Sequence, residues 1–204
     1  MTFRVALTFD AEHPDRPSQP GVAESILSIL ERAAVPATFF VQGRWAEAYP
    51  DTAQRIGPGG HLVGNHSHYH ARMPLFSAAG FATDVRAAET VIRDVLGVDP
   101  RPWFRCPFGA GHDSPRINAA LAGLGYRHVG WDVVAFDWER PADFVEAAVV
   151  DGAIASGDGA VVLLHTWPVS TGAALPAIVA RLADAGATFV RVDQLERLPE
   201  IAPT

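Results

Sequence analysis

The stretch "TFDAEHP", residues 8–14, crowds Asp10, Glu12 and His13 into four positions. A second concentration follows in "HLVGNHSHYH", where four of the chain's eight histidines fall between His61 and His70. Imidazole pairs and carboxylates form the donor set of hydrolytic metal centres, which leave positions open to water and substrate. A His-x3-His spacing brings His66 and His70 to one face if the segment is a helical turn, so that both can chelate one ion. His68 then points elsewhere and His61 lies in the preceding strand; both are expected to be structural or solvent-facing. Arg105 in "FRCPFG", Asp132 and Asp137 in "WDVVAFDW", and His165 closing "AVVLLH" complete the set. Singly, each has an ordinary role. Asp10 serves as a turn former or helix cap, Arg105 as an ion-pair partner, Asp137 as a turn residue, and His165 as a satisfied core histidine.

The elements that position these residues alternate along the chain. Strands are expected at "RVALTF" (4–9), "ATFFV" (37–41), "HLVGN" (61–65), "WFR" (103–105), "HVGW" (128–131), "AVVLLH" (160–165) and "TFV" (188–190). Between them lie helical patterns. Residues 23–34 carry Ile26, Ile29, Leu30 and Ala33 at helical spacing. A helix over 77–96 presents Phe81, Val85, Ala88, Ile92 and Leu96 on one face and stops at Gly97. Ser114 as N-cap and Pro115 at the first position open a helix over 114–125. Two more cover 141–155 and 173–185. Strands separated by helices pair in parallel, giving an α/β layered or barrel fold of one domain. In such folds ligands sit beyond the carboxyl ends of the strands. Titratable residues follow five of the seven strands here, which core packing does not require.

Composition narrows the function classes. Apolar residues make up 49% and charged residues 19% of 204, which describes a globular chain long enough to bury a core. The net charge of −7 argues against nucleic acid or an anionic membrane as partner. The single cysteine excludes an intramolecular disulfide framework and a four-thiolate zinc site. No apolar run reaches signal-peptide or membrane-span length, so the expectation is a cytoplasmic protein with no membrane span.

Taken in order, "ALTFD", "VPATFFVQG", "GHLVGNHSHYH", "FRCPFG", "WDVVAFDW" and "AVVLLH" resemble the motifs of the polysaccharide deacetylase family, the NodB-homology domain of carbohydrate esterase family 4. The resemblance runs from about residue 4 to 190. It implies a distorted (β/α) barrel of about seven parallel strands. It also implies a metal-dependent hydrolase that cleaves the amide of an N-acetylated sugar or polysaccharide. By resemblance His66 and His70 are metal ligands, for zinc first, with cobalt, manganese or nickel as substitutes. Asp10 matches the general base and Arg105 the residue that keeps it ionised. His165 matches the general acid, and Asp137 the partner that orients it and raises its pKa. Trp138 matches a wall of the pocket that receives the acyl methyl, Leu163 a substrate-binding residue, and the Phe108 backbone N–H an oxyanion donor.

Two positions depart from the family pattern. The usual second aspartate, a metal ligand, is replaced by Ala11, and Val134 stands where many members carry an acid. If the strand stays extended past Asp10, residues 10 and 12 project to one side and residue 11 to the other. Glu12 then points toward the histidines with one methylene more reach, as in branches of the superfamily that use an Asp-x-acid arrangement. Asp10 itself or His13 are the alternative third ligands. The substrate is expected to be a small-molecule or oligosaccharide amide. Cyclic amides or ureides form a second substrate class on the same fold, and a non-catalytic metal- or carbohydrate-binding module a third reading.

Overall fold

The computed structural model describes residues 2–15 and 19–199. Its organising element is β1 (Phe3–Ala11), half-buried at Phe3 and Arg4 and buried from Val5 onward. On one edge β1 pairs with β7 (Ala160–His165) over Val5–Asp10. On the other it pairs with β2 (Thr38–Val41) over Thr8–Ala11. The earlier part of that second edge, Phe3–Val5, is taken by β8 (Ala187–Phe189). Beyond β2 lie β3 (Leu62–Asn65), β4 (Trp103–Phe104) and β5 (Arg127–His128); beyond β7 lies β6 (Val133–Val134). The order is β5-β4-β3-β2-β1-β7-β6 with β8 to the side, and every pairing is parallel. β5 and β6 do not pair among the described residues, so the sheet curls into an open half-barrel. The expected α/β distorted barrel is therefore observed, and the two-residue β6 is the strand that the sequence reading did not anticipate.

Alternation along β1 separates two layers. Val5, Leu7, Phe9 and Ala11 enter the larger core, with Phe39, Val41, Val162 and Leu164 from the neighbouring strands. That core is closed by α1 (Val22–Ala33), α6 (Ala142–Ser156) and α7 (Val169–Asp184), which supply Ile26, Leu30, Val149, Leu175 and Ile178. Ala6 faces the concave side and packs with Phe40, Trp103, Val129, Trp131, Val161 and Leu163. A third cluster joins Phe81 and Val85 of α4 (Ala78–Leu96) to Ile117 and Leu121 of α5 (Pro115–Gly123). Burying residues of this size contributes roughly 1.5–3 kcal/mol per side chain. On the concave side, Gly64 is needed for close approach. A Cβ there would lie 2.6 Å from the Phe40 ring and 3.2 Å from Trp103.

Several boundaries differ from the expectations for physical reasons. The α4 helix stops at Gly97 as read, in the left-handed conformation, and the structure adds a cap at its start, Ser77 accepting from the Gly80 amide. Ser114 holds the N-cap position of α5 without a side-chain capping bond. Two short helices, α2 (Gly43–Ala48) and α3 (Pro50–Ala53), escape a periodicity search because neither completes two turns. The α7 helix starts at Val169 rather than at 173, and Pro176 lies inside it. "HVGW" leaves the sheet after His128, and the Gly130 amide donates instead to the Pro199 carbonyl.

Candidate active site

Asp10, Glu12, His66, His70, Arg105, Asp137 and His165 gather at the carboxyl ends of the strands, and register explains how; Asp132 does not join them, its Oδ2 accepting from the Val161 amide near the start of β7. Asp10 and His165 are paired positions on adjacent parallel strands, so two reactive side chains stand side by side at the rim. The chain stays extended through Ala11, and Glu12 continues on the Asp10 side while Ala11 is fully buried in the opposite core. His66 follows β3 directly, and its ring Nδ1–H donates to the Arg105 carbonyl over 2.9 Å.

Arg105 is fully buried directly after β4, and its guanidinium has no free side. Nη1 donates to Asp10 Oδ1 at 2.9 Å and to Thr8 Oγ1 at 2.8 Å. Nε and Nη2 donate to the Val129 and Gly130 carbonyls at 3.3 and 3.0 Å. The Phe40 ring lies beneath it, 4.1 Å from Cζ to centroid. Thr8 Oγ1 in turn donates to the Val162 carbonyl at 2.6 Å. One oxygen of Asp10 is thus fixed, and the other, Oδ2, lies 3.5 Å from His66 Nε2.

His165 forms the second dyad. Its Nδ1–H donates to Asp137 Oδ1 over 2.8 Å, and its backbone amide donates to Asp137 Oδ2 over 2.7 Å. Thr171 Oγ1 donates to the same Oδ2 at 2.6 Å, and Ser170 donates its hydroxyl to the Asp137 carbonyl. Burial lowers the His165 pKa, but the charge and hydrogen bond of Asp137 outweigh it and raise the imidazole to about 9. Trp138 packs edge-on against His165, ring centroids 5.1 Å apart.

Glu12 Oε2 meets His66 Nε2 at 3.1 Å and is in contact with His70 Nε2. These three atoms lie within 4.8 Å of one another, all on buried side chains. Their chemistry fits a divalent cation. With Nδ1–H committed to a carbonyl, His66 Nε2 can face a carboxylate oxygen only through a proton or a cation. His70 Nε2 is buried against the same Glu12 oxygen. Burial disfavours the charged form of Glu12, yet hydrogen bonds from His13, His66 and His70 outweigh it and hold the carboxyl well below its ordinary range. Burial in turn lowers the His70 pKa, which favours the neutral ring that a metal needs.

The helical turn expected for "HSHYH" is not formed. Ser67 and His70 have φ of 68° and 55°, and the segment is a loop. Its shape comes from Asp84 on the buried face of α4, whose carboxylate accepts from Ser67 Oγ at 2.6 Å and from the His68 and Tyr69 amides at 3.2 and 3.0 Å. Ser67 Oγ then accepts from the His70 amide at 3.1 Å. His68 is buried away from Glu12, and His61 is buried with Nδ1 accepting from the Ala37 amide, so both are structural. Sequence reasoning missed Asp84, although a carboxylate among the apolar positions Phe81, Val85 and Ala88 was a usable signal. It also missed Gln42, which accepts from the His13 amide and donates to the His68 carbonyl. Trp167, which donates to Glu12 Oε1 at 3.3 Å, was missed as well.

A cavity of about 410 Å³ opens over this group, lined by Asp10, Glu12, His70, Phe108, Trp138, Leu163 and His165 among others. Phe108 sits in a strained turn at φ 56°, its ring against His70 and its backbone N–H without an acceptor among the described residues. Val134 also lines the cavity, so an apolar side chain occupies that wall.

A curled parallel sheet that places a buried carboxylate–arginine pair and a histidine–aspartate pair on either side of a two-histidine, one-carboxylate group defines a hydrolase of the carbohydrate esterase type. Residues 2–129 match the polysaccharide deacetylase family, and the chain belongs to it. It is 34% identical over 194 residues to the peptidoglycan-N-acetylglucosamine deacetylase of Listeria monocytogenes, covering 94% of this chain and 38% of that protein. The family 4 carbohydrate esterase of Streptomyces lividans, solved with acetate, superposes with a TM-score of 0.79 at 31% identity, covering 92% of this chain and 91% of that one. A family 4 pseudoenzyme from Bacillus anthracis gives a TM-score of 0.84 at 25% identity, covering 95% of this chain and 65% of that one. The fold therefore accommodates both active and inactive sites, and the side chains decide between them.

Proposed function

We propose that this protein removes the acetyl group from an N-acetylated sugar or polysaccharide, with zinc held by Glu12, His66 and His70. The observation that carries this reading is the pairing of two oriented dyads, Asp10–Arg105 and His165–Asp137, across one ligand group. The relatives support the substrate class, since those named for an activity act on peptidoglycan or chitooligosaccharide.

Each residue then has a part in breaking the amide. Glu12, His66 and His70 would hold the cation, which when bound would supply Lewis-acid chemistry for amide hydrolysis. Asp10, held by Arg105 through Oδ1, takes the proton released as the water oxygen bonds to the carbonyl carbon. The Phe108 N–H is free to donate to the oxygen that gains charge. His165, kept protonated through neutral pH by Asp137, gives its Nε2 proton to the departing amine as the C–N bond breaks. Trp138 and Leu163 wall the space for the acetyl methyl. The products are acetate and a free amino sugar.

Acetate release tests the proposal. Metal-stripped protein reloaded with zinc should liberate acetate from N-acetylated chitooligosaccharides or peptidoglycan fragments. Ring opening of an imide without acetate release would assign the cyclic-amide class instead. Full turnover by His165→Ala on the acetylated substrate would remove the acid role.

A further inference from the structure

Glu12 uses its two oxygens differently. Oε2 faces His66 and His70, whereas Oε1 is turned away from them and lies 2.8 Å from His13 Nε2 and 3.3 Å from Trp167 Nε1. We propose that His13 and Trp167 are positioning residues that clamp Oε1 and so fix Glu12 as a one-oxygen metal ligand. This rests on the assignment of Glu12, His66 and His70 as the ligand set.

The clamp answers a problem of this chain's own making. A glutamate reaches the histidines from position 12 with one more rotatable bond than an aspartate, and an unheld Oε1 can rotate toward the ion or away from it. Donors fixed on Oε1 remove that freedom and leave the lone pairs of Oε2 for the metal, as partners behind a metal ligand generally do. His13 is built for this task. Its φ of 61° turns the chain sharply directly after Glu12, a conformation uncommon for residues other than glycine, and folds the ring back over the carboxylate. The turn is held by the His13 amide donating to Gln42 Oε1 at 2.9 Å, while Gln42 Nε2 donates to the His68 carbonyl at 3.2 Å. One glutamine thereby ties the loop carrying Glu12 to the loop carrying both histidines. Edge contacts of the His13 ring with His70 at 4.5 Å and Trp167 at 5.8 Å complete its placement.

The test reads zinc affinity rather than turnover, by competition with a chelating dye on the metal-stripped full chain. Parent protein should bind one zinc. His13→Ala should weaken that affinity about 10- to 100-fold, and His13→Gln, which keeps an N–H donor, should recover most of the loss. Trp167→Phe should weaken binding by a smaller factor, because its bond is the longer one. Thermal unfolding of the metal-free variants monitors the fold, and the glutamine variant still decides the matter if alanine unfolds the loop. Parent protein that binds no zinc would overturn the ligand set itself. Parent and His13→Ala binding equally tightly would overturn the clamp alone. A loss in His13→Ala that glutamine does not recover would also overturn it, by making His13 a ligand.

Discussion

Replacing Arg105 with methionine should come close to unfolding the protein. Arg105 is fully buried and donates to Asp10, Thr8, Val129 and Gly130. Removing the guanidinium strands the Asp10 carboxylate, 4% exposed, at a cost of about 3–5 kcal/mol. Three neutral acceptors lose a donor as well, at about 1 kcal/mol each. The loss of roughly 6–8 kcal/mol falls within the whole stability of a domain, about 5–15 kcal/mol. Arg105→Lys keeps the charge but offers only three donors and should lose less. Urea unfolding at neutral pH, followed by circular dichroism and tryptophan fluorescence, measures the difference. The double variant Asp10→Asn/Arg105→Met should regain a substantial part, since a neutral amide is cheaper to bury than an unpaired carboxylate. A single variant within about 1 kcal/mol of the parent, or a double variant no more stable than the single, would refute this account of the site's foundation.

Four further outcomes follow from the geometry. Glu12→Ala should lose stoichiometric zinc in metal analysis after dialysis; full retention would remove Glu12 from the ligand set. Ala11→Asp should be destabilised by several kcal/mol, because it buries a carboxylate in the apolar layer under the helices, and combined with Glu12→Ala it should not restore zinc. The His165 pKa is raised to about 9, so its proton is present through neutral pH and lost as pH rises through that value; activity should fall along the same limb, and Asp137→Asn should move the limb to lower pH in a pH–rate profile. Asp84→Ala removes an acceptor of three bonds to the histidine loop and should cost on the order of 3 kcal/mol in urea, with a parallel loss of zinc affinity.

What could be read from the sequence was what depends on local pattern. The α4 helix announced its buried face and its glycine stop, and β7 announced itself as an unbroken apolar run ending in His165. The projection of Glu12 toward the histidines followed from strand parity alone. Features that depend on tertiary partners were not legible. "HSHYH" has the spacing of a helical turn, yet the chain bends through two left-handed residues because Asp84, distant in sequence, captures its amides and hydroxyl. The two-residue β6 exists only because β7 offers it an edge. Trp167 carries no motif and Gln42 stands in "VPATFFVQG" with no role readable from it; both roles appear only when the loops meet.

The substitution at position 11 can be understood from that parity. Along β1, Val5, Leu7, Phe9 and Ala11 pack toward the helices, while Thr8 and Asp10 serve the concave side that Glu12 extends. Alanine at position 11 is thus what an apolar layer requires of a strand that stays straight to its end, and an acid there would point into that layer. On the proposed ligand set, a straight strand moves the ligand one residue onward, so the carboxylate needs the longer reach of glutamate. The longer side chain in turn needs its second oxygen held, and the sharp turn at His13 supplies a donor at that point. The apolar residue at 11, the glutamate at 12 and the strained histidine at 13 are three consequences of one backbone choice.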